Sequence, residues 1–272
     1  MKQSDFNGKG YIFNIFASDK NRKIISKLKS GSIPLGTLAK YIRFGVVITK
    51  NHDEIVSNYK PDKEWKPFLE GSEIGSYVIN YEGRYLNYRK NLLHRSRTPD
   101  VFETKKILIQ RITGGSQPLK AAYDTNNFYD KESIINLILK NNDEKEYKYI
   151  LGLLNSSLMN WFYNNSFTNE SKLTVNLSRE YLSEIPIREL PSSIQTQFLE
   201  VVDKILSITI SEDFLKNSQK QSQVKEYEKQ IDQIVYKLYG LTEEEIKTVE
   251  EQTSVRSIPK LILENTLATE AD

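Results

Sequence analysis

The stretch 224–246 places Val224, Tyr227, Ile231, Ile234, Leu238 and Leu241 at spacings of three and four. That period puts all six on one narrow face of a helix, and such a face has to be covered by another helix. Gly240 offers a left-handed stop, and Thr242 with Glu245 forms a capping box that opens a further helix. A partner lies close by. After Pro191, residues Ile194, Phe198, Val201, Val202, Ile205 and Leu206 form a second helical stripe. The polar stretch 211–223 between the two stripes predicts that they fold back as an antiparallel pair.

Upstream of this pair the pattern changes. Residues 144–162 read as one helix, with Tyr147, Ile150, Leu151, Leu154, Leu158 and Trp161 on one face. Before it, short apolar segments are separated by Gly, Asn, Asp and Pro turns: 46–49, 77–79, 107–112 and 128–129. Residues 11–16 (YIFNIF) read as a strand or docking linker, and 22–28 as a short helix ending near Gly31. The alternation in 173–177 suggests one more strand, and Ser178 opens a short helical turn ending before Pro186. The expected fold class is α+β: an irregular, curved β-rich domain with short helices, followed by an antiparallel pair of long C-terminal helices. The expected divisions are a junction over 1–32, the α+β domain over 33–190, the helical hairpin over 191–250 and a weakly ordered tail over 251–272.

Charge is distributed unevenly along this chain. Residues 1–120 carry 22 Lys/Arg against 11 Asp/Glu, a net of +11, and residues 121–272 carry 16 against 25, a net of −9. The first part is therefore expected to face a polyanion. Its densest cluster is 84–97, RYLNYRKNLLHRSR, where Arg84, Arg89, Lys90, Arg95 and Arg97 meet Tyr85 and Tyr88 with no acid among them. An arginine fork binds phosphate or guanine edges, and tyrosine stacks or hydrogen-bonds. A solvated basic segment has the same composition. Arg43, Lys50, Arg111 and Lys120 lie near the ends of β-segments or in turns and complete the candidate surface.

Catalytic patterns fail on geometry. Asp62 with Glu64 and Lys66, and Asp100 with Glu103 and Lys105, imitate a metal-dependent nuclease pattern. Such carboxylates must converge from two adjacent strands, which one or two intervening residues do not allow. Phe6-Asn7-Gly8-Lys9-Gly10 resembles an S-adenosylmethionine loop, but only five residues precede it, so no buried strand leads in. The eight prolines stand singly, so the paired prolines of an adenine methyltransferase motif are absent. Gly114-Gly115-Ser116 lacks the lysine of a phosphate loop and reads as a turn. With no cysteine and only His52 and His94, neither a catalytic residue nor a metal site is expected. The polar N-terminus and the lack of an apolar run near the ~20 residues of a membrane helix point to the cytoplasm and away from a membrane.

Several segments resemble, in family order, the C-terminal specificity domain of TaqI-like adenine methyltransferases and of type IIG restriction–methylation enzymes. More distantly they resemble one half of a type I specificity subunit. The segments are Gly10-Tyr11-Ile12-Phe13-Asn14, Ile33-Pro34-Leu35-Gly36-Thr37-Leu38, Lys66-Pro67-Phe68-Leu69-Glu70-Gly71-Ser72-Glu73-Ile74, 106–111, 149–158 (YILGLLNSSL), Ile185-Pro186-Ile187 and 227–246. The resemblance implies sequence-specific recognition of double-stranded DNA, with catalysis on another domain or subunit. No cofactor is expected in this chain. S-adenosylmethionine, and Mg2+ for a nuclease, would belong to that catalytic part. The alternative is an assembly module that docks a catalytic partner or self-associates through Ile194, Phe198, Val201, Ile205, Val224, Tyr227, Ile231, Ile234 and Leu238.

Overall fold

The computed structural model describes residues 18–48, 52–89, 92–94, 96–115, 117–167 and 175–255. Its organising layer is an antiparallel sheet in the order β2 (Ala39–Phe44), β10 (Ile134–Leu139), β6 (Lys106–Gln110), β8 (Ala121–Asp124). Strand β10 reads Ile-Ile-Asn-Leu-Ile-Leu and is buried at all six positions. A strand covered on both faces needs apolar side chains on both, so its sequence shows no alternation. Asn136 is the polar exception, and its Nδ2 donates to Asp130 Oδ1 at 2.8 Å.

One face of this sheet presents Ile107, Ile109, Ile135, Leu137 and Leu139 to the main core. Helices α4 (Glu144–Asn155) and α5 (Ser157–Phe167) cover it. The single helix expected over 144–162 is interrupted at Ser156, which is extended. The second half is capped from a distance: Asp232 accepts from the Ser157 backbone N–H at 2.8 Å and from its hydroxyl at 2.6 Å. The break also frees two asparagines to serve β8. Asn155 bonds both the N–H and the carbonyl of Ala121 at 3.0 Å, and Asn160 Oδ1 accepts from Leu119 N at 2.8 Å. The Leu-Leu-Asn-Ser signature thus has a physical content, with buried leucines and an amide that satisfies the backbone of a neighbouring strand.

A second four-stranded sheet runs β3 (Val56–Ser57), β5 (Tyr85–Asn87), β4 (Trp65–Leu69), β9 (Tyr129–Asp130), with β4 and β9 parallel. It encloses a separate apolar cluster that includes Val46, Phe68, Leu86, Phe102 and Tyr129. A third, small cluster joins Leu69, Ile74 and Phe128 to Leu108 and Ile134. Two short ladders finish the β structure: β1 (Ile33–Pro34) with β12 (Pro186–Ile187), and β7 (Ile112–Thr113) with β11 (Val175–Asn176). Short helices α2 (Leu35–Leu38), α3 (His52–Ile55) and α6 (Arg179–Ser183) connect them, and Ser178 caps α6 as its sequence predicts.

Two expected strands are not regular. Of the described residues 46–48 only Val46 bridges, to Lys131, and at 77–79 only Ile79 bridges, to Ile74. Tyr77 turns instead, with φ +61°. Its buried ring joins the main core, its N–H donates to Ala121 O at 2.7 Å, and its carbonyl accepts from Thr209 Oγ1 at 2.9 Å. These contacts divert the backbone into a conformation that side chains with a Cβ rarely adopt.

The C-terminal helices are α7 (Ser192–Thr209), α8 (Ser218–Leu238) and α9 (Glu243–Val255). Helices α7 and α8 form the expected pair, but α7 also packs on α4, and α8 on α4 and α5. Phe198, Val201, Ile205, Val224, Ile231 and Ile234 are buried, and Ile194, Tyr227 and Leu238 are partly buried against the same core as the sheet. Gly152 permits the close crossing of α4 and α7, since a Cβ there would lie 2.7 Å from the Phe198 ring. Gly240 has φ +65°, and the capping box closes on both sides: Thr242 N donates to Glu245 Oε2 at 2.8 Å and Glu245 N to Thr242 Oγ1 at 3.3 Å. At the other end, α1 (Asp19–Lys29) buries Ile24 and Leu28 in this core. A single core therefore runs from α1 through the sheet to α9. Residues 11–16 and the tail beyond 255 lie outside the described residues.

Candidate nucleic-acid interface

The segment 84–97 begins at β5, and its cations meet acids from elsewhere in the fold. Arg84 binds Glu73 and, at 2.9 Å, Glu82. The Glu73 side chain is fully buried and also accepts from the backbone of Glu70 and Glu82, so Arg84 is the counter-ion of an internal cap. Arg89 lies 2.7 Å from Asp62 and donates to Asn87 Oδ1 at 2.8 Å. Its hydrogen bond is the main reason the Asp62 carboxyl is held below the usual range. Tyr88 is buried against Phe102 and Tyr129, and its hydroxyl donates to the Arg97 carbonyl. Burial pushes that phenol up to about 12. Tyr85 is half-buried, edge-on to Tyr81. Lys90 and Arg95 lie outside the described residues. Of the described residues in this cluster, Arg84 and Arg89 meet carboxylates and Tyr88 is turned inward.

A different surface gathers at the edge of the main sheet. Among the described residues, strand β2 is hydrogen-bonded to β10 on one side only. Lys40 and Arg43 are exposed on it, and both lie over the Tyr41 ring, with Lys40 Nζ 5.2 Å and the Arg43 guanidinium carbon 5.7 Å from its centroid. Neither meets a carboxylate among the described residues. At the end of the strand, Phe44 is covered by two more guanidinium groups, Arg111 at 4.4 Å and Arg179 at 5.8 Å from its ring centroid. Its carbonyl accepts from Arg97 Nε at 3.0 Å. Arg111 is steered by Asn176 Oδ1 at 3.0 Å and the Glu132 carbonyl at 3.2 Å, neither of which carries a neutralising charge.

Between β2, α2 and α6 lies a cleft of about 330 Å³, lined among others by Lys40, Tyr41, Arg43, Arg179, Glu180 and Ser183. Glu180 is its one carboxylate, 3.2 Å from Arg179. Of the residues singled out in the sequence, Arg43 lines this cleft, and Arg97 and Arg111 contact the neighbouring Phe44, whereas Arg84, Arg89 and Tyr88 have other partners. Lys120 is half-buried beside β8, its carbonyl bound by Gln110, and Lys50 lies outside the described residues. Sequence reasoning missed Lys40, Tyr41, Phe44 and Arg179. The first three form a basic–aromatic strand that was legible as such. Arg179 sits in the acidic half, and only the fold brings it across.

One basic residue of the described part is also withdrawn from the surface altogether. Lys106 is fully buried, paired with Asp124 and the Phe102 carbonyl. Among the described residues no group of three His, Asp or Glu side chains is arranged to hold a metal ion, and no helix is long and apolar enough to cross a membrane.

Comparison with known proteins places this geometry in a family context. Residues 66–187 match the model of the TaqI-like C-terminal specificity domain, and the resemblance drawn from the sequence segments is borne out there. No curated protein sequence matches the chain. Among solved structures, the chain resembles the type IIL restriction-modification enzyme MmeI, described in complex with DNA, at 14% identity and a TM-score of 0.57. That alignment covers 83% of this chain and 36% of MmeI. The HsdS subunit from Thermoanaerobacter tengcongensis aligns at 12% identity and a TM-score of 0.39, over 82% of this chain and 51% of that one. A chain of a type I restriction–modification system aligns at 12% and 0.40, over 81% and 52%. This chain thus spans between about a third and a half of the length of these proteins, and its likeness to MmeI is one of fold.

Proposed function

We propose that the chain is the double-stranded DNA target-recognition module of a restriction–modification system, directing an adenine methyltransferase or endonuclease held on another domain or subunit. The observation that carries this reading is the match of residues 66–187 to a specificity domain. It is supported by the fold likeness to an enzyme described with DNA, and by a sheet edge where Lys40 and Arg43 meet no carboxylate among the described residues. In this reading the protein works in the cytoplasm. Phosphate contacts fix its position on the duplex, and side chains reaching base edges specify the sequence. S-adenosylmethionine, and Mg2+ where cleavage occurs, are bound by the catalytic part.

The test is titration of duplex DNA at several salt concentrations. Affinity should fall linearly on a log–log plot as salt rises, because each phosphate contact releases condensed counterions. Affinity for duplex that stays flat from low to moderate salt would overturn the electrostatic part of the reading. Selection of bound sites from random duplex, with the catalytic partner present, then reads the sequence preference.

Docking of that partner fits the helical pair. A groove between α7 and α8, of about 390 Å³ and lined by Ile194, Gln197, Lys229, Gln233, Ile234 and Lys237, lies on its outer side. Charge reversal at Lys229 and Lys237 should weaken assembly or self-association, measured by sedimentation, while sparing DNA affinity.

A further inference from the structure

We infer that the cleft between the open edge of β2 and helix α6 is a phosphate subsite that holds one backbone phosphate of the duplex between Lys40, Arg43 and Arg179. This inference rests on the DNA-recognition reading and gives it a place on the surface.

Three features of the cleft favour an anion of this size. First, its charge is unbalanced, with three cations against the single carboxylate of Glu180. The Glu180 carboxyl is held below its ordinary range by its own backbone N–H and, to a smaller degree, by Arg179, so it stays ionised at neutral pH. The net excess of two positive charges is left for a ligand. Second, the cations are held in place by rings. Lys40 and Arg43 rest on Tyr41, and Arg179 leans on Phe44. A ring face orients a cation without cancelling its charge, which lowers the ordering cost when a phosphate arrives. Third, the wall is the edge strand of the described sheet, with one side free of sheet partners among the described residues. Outward N–H groups on such an edge are donors of the kind that phosphate oxygens accept from. The close approach of Gly36 to Ser183, where an added Cβ would stand 3.0 Å from the serine Cβ, holds α2 against α6 and shapes the cleft.

In the alternative basic surface, the described cations Arg84 and Arg89 are already engaged by Glu73, Glu82 and Asp62. A phosphate there would have to displace an existing carboxylate.

Duplex titration of the full chain separates the two. Lys40→Ala with Arg43→Ala, and separately Arg179→Ala, should each lower affinity about tenfold at low salt and reduce the salt slope by about one, the signature of one lost phosphate contact. Glu180→Gln removes the opposing charge and should tighten binding a few-fold, a gain that a merely structural role would not give. Wild-type slopes and affinities in the cleft variants, with salt-dependent binding by the unmodified protein, would overturn the subsite and leave DNA recognition standing. If the unmodified protein binds no duplex, the recognition reading fails, and inorganic phosphate decides for the cleft. Thermal stabilisation by millimolar phosphate that disappears in Arg179→Ala would keep the subsite, and its absence would remove it.

Discussion

Arg84 and Arg43 both stand at β-strands in the basic part of the chain, and the fold treats them in opposite ways. Arg84 lies against the buried carboxylate of Glu73 and the exposed one of Glu82. Arg43 lies over Tyr41 and faces solvent, with no carboxylate against it among the described residues. The first arginine stabilises the fold, and the second contributes an outward field. Charge density along a sequence therefore does not locate a polyanion surface. The acids that the fold brings opposite each cation decide whether its charge is available.

The largest expected effect tests the structural side of this contrast. Arg84→Ala leaves Glu73 buried without its cation, which should cost about 3 kcal/mol in urea unfolding. An Arg84→Ala protein of unchanged stability and lost DNA affinity would invert the assignment. Next comes the acidic half, where the Glu228 and Asp232 carboxyls are partly buried on α8. Burial raises Glu228 to about 7, helped by Asp232, and burial raises Asp232 to about 6. A carboxyl whose folded value lies above its unfolded one stabilises most when protonated. That contribution is complete below about pH 4 and is lost as pH rises through 6 to 7. Thermal stability should accordingly decline between about pH 4 and pH 7 through these two groups, and Glu228→Gln should flatten the decline by about 1–2 kcal/mol. A pH profile identical to that of the unmodified protein would show Glu228 to be solvated.

Smaller effects sharpen the same comparison. The exposed pair Arg89–Asp62 should contribute little, so Arg89→Ala should shift the melting temperature only slightly. Any loss of DNA affinity in Arg89→Ala, or with Lys90→Ala added, should be smaller than that of the cleft variants. Finally, Lys40→Ala with Arg43→Ala should change stability by no more than about 0.5 kcal/mol, since neither side chain holds a carboxylate. A larger loss in calorimetry would mean that the ring contacts with Tyr41 stabilise the fold.

Periodicity made the helical part of the fold legible. The stripes on α7 and α8, the Gly240 stop and the Thr242–Glu245 box all follow from local spacing, and the structure repeats them. The break at Ser156 was not legible, because its cap comes from Asp232, 75 residues away. Strand β10 escaped notice for a related reason: buried on both faces, it has no alternation to detect. Tyr77 belongs to an apolar triplet that resembles a strand, and only its burial in the main core explains the turn. The candidate surface was half legible. Arg43, Arg97 and Arg111 were singled out and do converge on β2 and Phe44, whereas Arg179 arrives from a segment whose charge gave no hint of it.

The continuity of the main core across residues 190 and 191 bears on how such a module can diversify. A crossover between related genes at that point would pair a sheet with helices shaped for another sheet, and Phe198 would meet the wrong residue at position 152. The lesser clusters around Phe68 and Phe128 hold their side chains apart from that shared interior. Drift can accumulate around them without disturbing the fit of α7 and α8. Heritable change in what the module contacts is thus cheapest where the packing is most local, and the long helices can be passed on unchanged.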